Sequence, residues 1–442
     1  MGLVTIDGVE KAPPDGRLLG ASLDRPRAGE SSDGYGFLLR GWAIGDGCEV
    51  EGLELRDEGR VVAQVPLDRT RSDVAEAFPG APGAEESGFE TVVRALELES
   101  RFEVELVVVL GDGSRAPLGT IRGRRSRLSV PRTAGLDPVM LTTIGRSGSK
   151  WLAWLLSCHP AVTAFQPLVF EPRLATYWTT VFRELSSPRS YLRQIHAERW
   201  DEPRWWLGDG AGPMPAPVDL GMAEWLGAEG VGSLAAFCQE RIEAFYVEAA
   251  ERMGKTGVRY FAEKFLLDPV LLNLTSEIFP AGREVILVRD FRDRLSSVFA
   301  WNEKRGEAGF GHDPRMSQAE YLTERVRVDA EELLDRWRRR GDEAHLVRYE
   351  DLILEPERTL ARLFAYLDVP SDVETVEGLL EVANRPSDLL DGHRTVTDPT
   401  QTIGRWRRDL PTDLAAECNE ILAPVLEAFG YSVALSPAGS RA

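Results

Sequence analysis

The chain has 442 residues, 43% of them hydrophobic, with 71 acidic against 52 basic side chains and a formal net charge of −19. That length buries a sizeable core in two or three domains, and the acidic balance argues against a general nucleic-acid or anionic-membrane binder, so a site for an anion has to be built locally. Four cysteines, Cys48, Cys158, Cys238 and Cys418, lie far apart without a Cys-x-x-Cys pair, which suggests neither a zinc cage nor a disulfide framework. The amino terminus lacks a basic segment followed by an apolar core, and no apolar run approaches the ~20 residues that cross a bilayer. The expectation is a soluble, cytoplasmic protein.

In chain order, about Tyr35 to Arg122 carries short alternating apolar runs broken by Gly and Asp: Phe37-Leu38-Leu39, Val61-Val62-Ala63 and Val104 to Leu110. With a tight turn at Gly111-Asp112-Gly113, this predicts an antiparallel β-sandwich. Helical periodicity there is confined to Asp73–Phe78. The stretch Arg122 to Pro138, with Arg124, Arg125, Arg127 and Arg132 and two prolines, reads as a solvated basic linker.

Beyond Asp137 strands alternate with helices. Val139–Ile144, Glu284–Val288 and Ala344–Val347 read as buried strands of a parallel sheet, and the fold class is α/β, with helices flanking that sheet. Ser233 is a candidate cap for a helix with Leu234, Cys238, Ile242, Phe245 and Ala249 on one face, and Ser317 to Glu320 has capping-box spacing. Pro356 suits a first helical turn and Gly430 a helix end. The stretch from Thr176 to Gly232 is rich in tryptophan (Trp178, Trp200, Trp205, Trp206, Trp225), either a wall for an acceptor or a packed helical insertion.

Two segments carry chemistry. The first strand leads through Gly145-Arg146-Ser147-Gly148-Ser149-Lys150-Trp151 into an apolar helical run. A strand turning through glycine into a helix aims backbone N–H groups at one point, a cradle for phosphate. It departs from the nucleotide-triphosphate loop, because Ser149 separates Gly148 from Lys150 and Trp151 stands where a magnesium-binding hydroxyl would be. After the second of these strands comes Arg289-Asp-Phe-Arg-Asp-Arg-Leu-Ser-Ser297. An arginine at a strand's carboxyl end sits where open α/β sheets bind ligands, and Ser297, two helical turns on, returns to the same side.

The two segments together resemble the signature motifs of sulfotransferases that use 3′-phosphoadenosine 5′-phosphosulfate (PAPS), most closely the bacterial members. The similarity runs from Asp137 to about Ser432 and includes Ser157-Cys-His-Pro160, Phe261-Ala-Glu-Lys264, Val288 to Asp293, Arg348-Tyr-Glu-Asp-Leu352 and Gly404-Arg-Trp406. It implies a sulfotransferase domain over 137–435 with a P-loop-like parallel sheet, within which the tryptophan-rich insertion 176–232 is a candidate acceptor lid. A β-sandwich accessory domain with the start of the basic linker would occupy 1–130, buttressing the catalytic domain or assembling a homo-oligomer. By the same resemblance Arg146, Ser147, Gly148, Ser149 and Lys150 surround the 5′-phosphosulfate, and Trp151 stacks on the adenine. Arg289 and Ser297 hold the 3′-phosphate, Tyr349 touches the adenine and Arg405 is a late contact to the 3′-phosphate. Lys264 stands beside the transferring sulfuryl group, and no metal is required.

The chain departs from the family pattern where a second hydroxyl is common after the loop glycine, since Lys150 occupies that place. The family's common histidine position holds Leu266. Glutamate-using relatives place their base shortly after the first helix, so the resemblance implies Glu171, in Phe-Glu-Pro-Arg173, as the first candidate for the base; His393 is the second, and Lys264 and Lys150 would polarise the sulfuryl group. His159 reads as a packed helix-end residue and Glu263 as a partner that orients Lys264. The implied reaction moves a sulfuryl group from PAPS to the hydroxyl of a glycan or small metabolite, releasing adenosine 3′,5′-bisphosphate (PAP). A P-loop kinase-like phosphotransferase and a non-catalytic nucleotide-binding scaffold remain the alternatives.

Overall fold

The computed structural model describes residues 2–165, 172–186, 225–306, 315–385, 396 and 398–433. The chain divides into two compact units, Met1–Thr133 with Thr179–Cys238, and Ala134–Trp178 with Gln239–Ala442.

Among the described residues the first unit holds nine strands: β1 (Val4–Lys11), β2 (Leu18–Arg25), β3 (Ser31–Ser32), β4 (Gly36–Gly45), β5 (Val50–Asp57), β6 (Arg60–Val65), β7 (Gly88–Arg94), β8 (Arg101–Leu110) and β9 (Arg115–Arg125). They form a six-stranded sheet ordered β3-β1-β9-β8-β5-β6 and a three-stranded sheet ordered β2-β4-β7, all pairings antiparallel. Alternate residues turn to one shared core: Phe37, Leu39, Phe89 and Val93 from the smaller sheet meet Val4, Leu55, Val104, Leu106 and Ile121 from the larger, the period-two pattern expected of strands with one buried face. The all-β region thus begins at Val4, well before Tyr35, because β1 and β2 carry too few consecutive apolar residues to stand out in sequence.

The basic stretch 122–138 is a connector only beyond Arg125. Arg122 to Arg125 complete β9, where Arg122 donates to Glu103, its direct partner on β8, and Arg124 donates to Asp7 at 2.8 Å. Arg125 points inward and its Nε donates to Leu98 O at 2.9 Å. Arg122 and Arg124 thus belong to the outer, ion-paired row of a strand, and cross-strand partners are what a linear reading misses.

The second unit is built on a five-stranded parallel sheet ordered β11-β12-β10-β13-β14, from β10 (Asp137–Thr143), β11 (Val162–Thr163), β12 (Tyr260–Phe265), β13 (Arg283–Val288) and β14 (Ala344–Arg348). Helices cover the sheet, and the two apolar clusters around it are closed by residues such as Leu152, Leu156, Leu360 and Phe364 on one side and Leu295, Leu333, Leu422 and Trp406 on the other. Inside the sheet, Glu284 is fully buried and accepts from Thr142 Oγ1 at 2.7 Å and from Arg336 Nε and Nη2 at 2.9 and 2.7 Å, so the charge is both paired and hydrogen-bonded.

Local signals behave as their chemistry dictates. Ser317 N donates to Glu320 Oε2 at 2.7 Å and Glu320 N to Ser317 Oγ at 3.2 Å, a reciprocal capping box. Pro356 opens the helix Pro356–Tyr366, and Gly430, at φ 77°, follows the helix Thr412–Ala428. Ser233 does not cap: the helix Val231–Arg252 already runs through it, continuing from a preceding π turn, Leu226–Gly230. Among the described residues no helix is long and apolar enough to cross a membrane.

Candidate functional site

The centre of the parallel sheet is β10, with β12 on one side and β13 on the other. Such a switch point leaves a crevice beyond the carboxyl ends of the strands. The chain puts its chemistry there: the loop 144–148 follows β10, Lys264 lies at the end of β12, Arg289 follows β13 and Tyr349 follows β14.

The loop reverses through two left-handed residues, Arg146 at φ 71° and Gly148 at φ 91°, and the helix Ser149–Cys158 begins at once. A Cβ on Gly148 would sit 2.4 Å from Tyr349 Cδ2, so both the backbone angle and the ring demand glycine. The loop's carbonyl oxygens are held by arginines: Gly145 O accepts from Arg294 Nε at 2.9 Å and Arg146 O from Arg289 Nη1 at 3.1 Å. The first-turn N–H groups of the helix have no intrahelical acceptor and carry the positive end of its dipole, so the loop offers donors to an anion while its carbonyls are occupied.

Arg146 donates from Nε to Ser297 Oγ at 3.2 Å and lies over the Trp301 ring at 4.6 Å. Burial, together with the neighbouring charge of Arg289, brings its guanidinium down to about 10, the mark of cations crowded where a counter-charge belongs. Arg289 is 5% exposed, donates from Nη2 to Thr402 O at 3.0 Å and stacks on Tyr349 at 4.6 Å, and its buried Nε has no hydrogen-bond partner. Thr402 Oγ1 gives its proton to Pro399 O at 2.6 Å, so the Tyr349 hydroxyl, 3.1 Å away, donates to Thr402. Asp293 fastens the carboxyl-terminal motif by accepting from Gly404 N at 2.6 Å and Trp406 N at 2.9 Å. Burial first and Asp290 second push its carboxyl up to about 6.

Arg146, Gly148, Arg289, Ser297, Trp301, Tyr349 and Thr402 line a cavity of about 660 Å³. Its described lining carries four arginines (146, 173, 289, 305) and two lysines (150, 264) and no carboxylate, in a chain with an excess of acidic side chains. One wall is apolar, with Trp151, Leu352, Ile353, Pro356 and Leu380. A ligand with several negative charges and a flat apolar part matches that lining.

Of the residues singled out from sequence, Arg146, Gly148, Ser149, Lys150, Trp151, Lys264, Arg289, Ser297 and Tyr349 all line the cavity. Ser147 is buried in the loop. Arg405 is buried, donates to Asp409 Oδ2 at 2.6 Å and is not part of the lining. Glu171 and His393 lie outside the described residues. His159 accepts at Nδ1 from Ala161 N at 3.1 Å and donates from Nε2 to Pro370 O at 3.0 Å, a neutral packing residue whose basicity burial lowers. Glu263 does not orient Lys264. Successive strand residues face opposite ways, and Glu263 instead accepts from Ala175 N at 2.9 Å, Thr176 N at 3.1 Å and Tyr246 Oη at 2.6 Å, anchoring the start of the helix Leu174–Leu185.

Sequence reasoning missed Arg173, Leu266, Trp301, Arg305 and Thr402 as lining residues. For two of them a signal existed: Ser297, Trp301 and Arg305 are spaced by four and so share one face of the helix Phe291–Arg305.

A family model described as "Sulfotransferase family" matches residues 138–373. A protein-tyrosine sulfotransferase of Drosophila melanogaster is 26% identical over 206 residues, covering 44% of this chain and 39% of that protein. Carbohydrate sulfotransferase 3 of Tetronarce californica is 23% identical over 158 residues, 33% of this chain and 35% of that one. The chain therefore spans well under half the length of either relative. Among solved structures, the sulfotransferase domain of the Synechococcus PCC 7002 olefin synthase aligns with 70% of this chain and 99% of its own at 18% identity and a TM-score of 0.39. Mouse sulfotransferase SULT7A1, complexed with PAP, aligns with 68% of this chain and 86% of its own at 10% identity and a TM-score of 0.35.

Proposed function

This chain belongs to the sulfotransferase family, and from that premise we propose that it moves a sulfuryl group from PAPS to an acceptor hydroxyl of a glycan or small metabolite, leaving PAP. The observation that carries the reading is the cavity lined by six cations and no described carboxylate, with Arg289 Nε buried beside it without a partner. The residues present fit the donor nucleotide: Gly148 leaves no room for a Cβ in the cradle, and the Arg289 donor lacks an acceptor that a phosphate would supply.

PAPS, when bound, supplies the sulfuryl group and a phosphate as the leaving group. In the proposed assignment Arg146, Ser147, Gly148, Ser149 and Lys150 hold the 5′-phosphosulfate, Arg289 and Ser297 the 3′-phosphate, and Trp151 and Tyr349 the adenine, while Arg405, outside the described lining, adds its positive charge nearby. The helix terminus, Lys150 and Lys264 oppose the negative charge that grows on the leaving oxygen, which lowers the barrier through fixed electrostatics. Glu171 takes the proton of the acceptor hydroxyl, with His393 as the second candidate. The proposal extends to a lid over 176–232, to a cytoplasmic location and to an accessory role or homo-oligomer interface for residues 1–130.

Calorimetry with PAP in the presence of a chelator, followed by incubation with radiolabelled PAPS and panels of glycans, phenols, tyrosine peptides and small hydroxyl metabolites, tests this reading. Saturable PAP binding and one labelled acceptor are expected. Metal-dependent turnover of ATP without PAP binding would replace it with phosphotransfer. PAP binding with no label transferred to any acceptor would favour a scaffold.

A further inference from the structure

One carbonyl of the loop after β10 is held by a group that the nucleotide itself does not meet. Gly145 O accepts from Arg294 Nε at 2.9 Å, and Arg294, 4% exposed, lies outside the described cavity lining. Its Nη2 donates to Asp329 Oδ2 at 3.2 Å, so one guanidinium ties the loop to a helix far along the chain. Tyr321, buried, stands beside the same guanidinium: burial lifts its phenol above the ordinary value and the charge of Arg294 opposes that lift.

Tyr321 and Asp329 are eight positions apart on a helix that runs through Gln318–Tyr321, a π turn at Leu322–Val326 and Arg327–Arg340. In a regular α-helix eight residues rotate about 80° beyond two full turns, which would carry one of the two side chains off the face that meets Arg294. A π turn takes up an additional residue and turns the later segment back by about 100°, leaving the two within about 20° of each other. Such turns occur frequently at functional sites. Here the turn brings a carboxylate and a phenol together on the arginine that grips the anion loop.

The grip matters because of what the Gly145 carbonyl controls. Its peptide plane ends at Arg146, so turning the plane changes the φ of Arg146, which stands at 71°. A left-handed backbone is uncommon outside glycine and persists where the surroundings impose it. Left-handed residues in such a loop aim successive N–H groups at an anion, while a carbonyl swung into the crevice would face that anion with the negative end of its dipole.

We infer that Arg294 and Asp329 are positioning residues for the 5′ end of the donor: Asp329, brought round by the π turn, fixes Arg294, and Arg294 fixes the Gly145–Arg146 peptide so that the loop presents donors and not an acceptor. The inference rests on the sulfotransferase reading and deepens it. Neither residue touches the donor or the acceptor.

The test uses the full chain and three nucleotides: PAP, AMP and adenosine 3′-phosphate. PAP binding is read by calorimetry and the two monophosphates by their displacement of PAP. Only the first two carry a 5′-phosphate, so Arg294→Met should weaken both at least tenfold and leave adenosine 3′-phosphate within twofold. Asp329→Asn, at the less buried end of the pair, is the milder variant and should weaken PAP and AMP at least threefold with the same selectivity. The double variant should bind PAP within twofold of Arg294→Met alone, because Asp329 acts through Arg294. Equal losses for all three nucleotides overturn the inference, since they mark general damage to the fold. Unchanged PAP affinity in the folded variants, or additive losses in the double variant, overturns it as well. A wild-type chain that fails to bind PAP at all is a different result: it removes the sulfotransferase reading beneath the inference and takes both away.

Discussion

Removing Arg289 separates the proposed 3′-phosphate site from the rest of the cavity. In Arg289→Ala the nucleotide loses a buried guanidinium, and the carbonyls of Arg146 and Thr402 lose the donors now at 3.1 and 3.0 Å. A desolvated charge-assisted hydrogen bond contributes about 1.5–3 kcal/mol, and loosening the loop carbonyl adds on the order of 1 kcal/mol. PAP affinity should therefore fall by about 2.5–4 kcal/mol, or on the order of 10²–10³-fold. AMP lacks the 3′-phosphate and feels only the looser loop, so its affinity should fall no more than about tenfold. Calorimetric titration of PAP and AMP into both proteins gives all four constants, and the wild-type preference for PAP should shrink by roughly 10- to 10²-fold in the variant. Equal losses for the two nucleotides would refute the reasoning. They would mean that Arg289 works by bracing Arg146 O and Thr402 O and not by holding the 3′-phosphate.

Gly148→Ala forces a Cβ to within 2.4 and 2.6 Å of the Tyr349 ring at φ 91°; overpacking and backbone strain together should cost about 2–4 kcal/mol, seen as a lower Tm and as lost PAP binding. For Asp293 the folded value of about 6 lies above the unfolded 3.8, so its stabilising contribution is complete below pH 4 and is lost as pH rises through 6. That difference is worth about 3 kcal/mol. Urea unfolding of wild type and Asp293→Asn should show the wild type gaining on the variant by about that amount between pH 7 and pH 4, and a difference independent of pH would show that the carboxyl is not displaced. Ser317→Ala breaks the capping box far from the cavity lining and should lower stability by about 1 kcal/mol while PAP affinity stays unchanged, a control that a change in affinity would spoil.

Much of the site was legible because it is local. The turn from β10 into the 149–158 helix needs glycine at a left-handed position and small residues beside it, and those constraints sit within seven consecutive residues. Arg289 is legible because it ends a buried apolar strand, and the Ser317 box because its two partners are three residues apart. Arg173 was not legible as a cavity residue, since the helix it precedes is anchored through Ala175 N and Thr176 N to Glu263, distant in sequence. The basic run ending β9 was misread for the same reason: Glu103 and Asp7, which accept from Arg122 and Arg124, lie on neighbouring strands.

Sequence by itself thus determined what short-range sterics and hydrogen bonding decide: an anion-cradling loop, three strands of a parallel sheet, the helix ends at Ser317, Pro356 and Gly430, and an all-β region ahead of them. The tertiary structure alone decided which distant groups share the cavity. Strand order places β10 between β12 and β13, so the carboxyl ends of strands far apart in the chain converge on one crevice. Burial there decides which cations crowd together, which carboxylates are fastened to backbone N–H groups, and that Arg173 joins the wall. Periodicity can report that a residue faces inward. It carries no information about what it faces, because that follows from pairing and packing between segments a hundred or more residues apart.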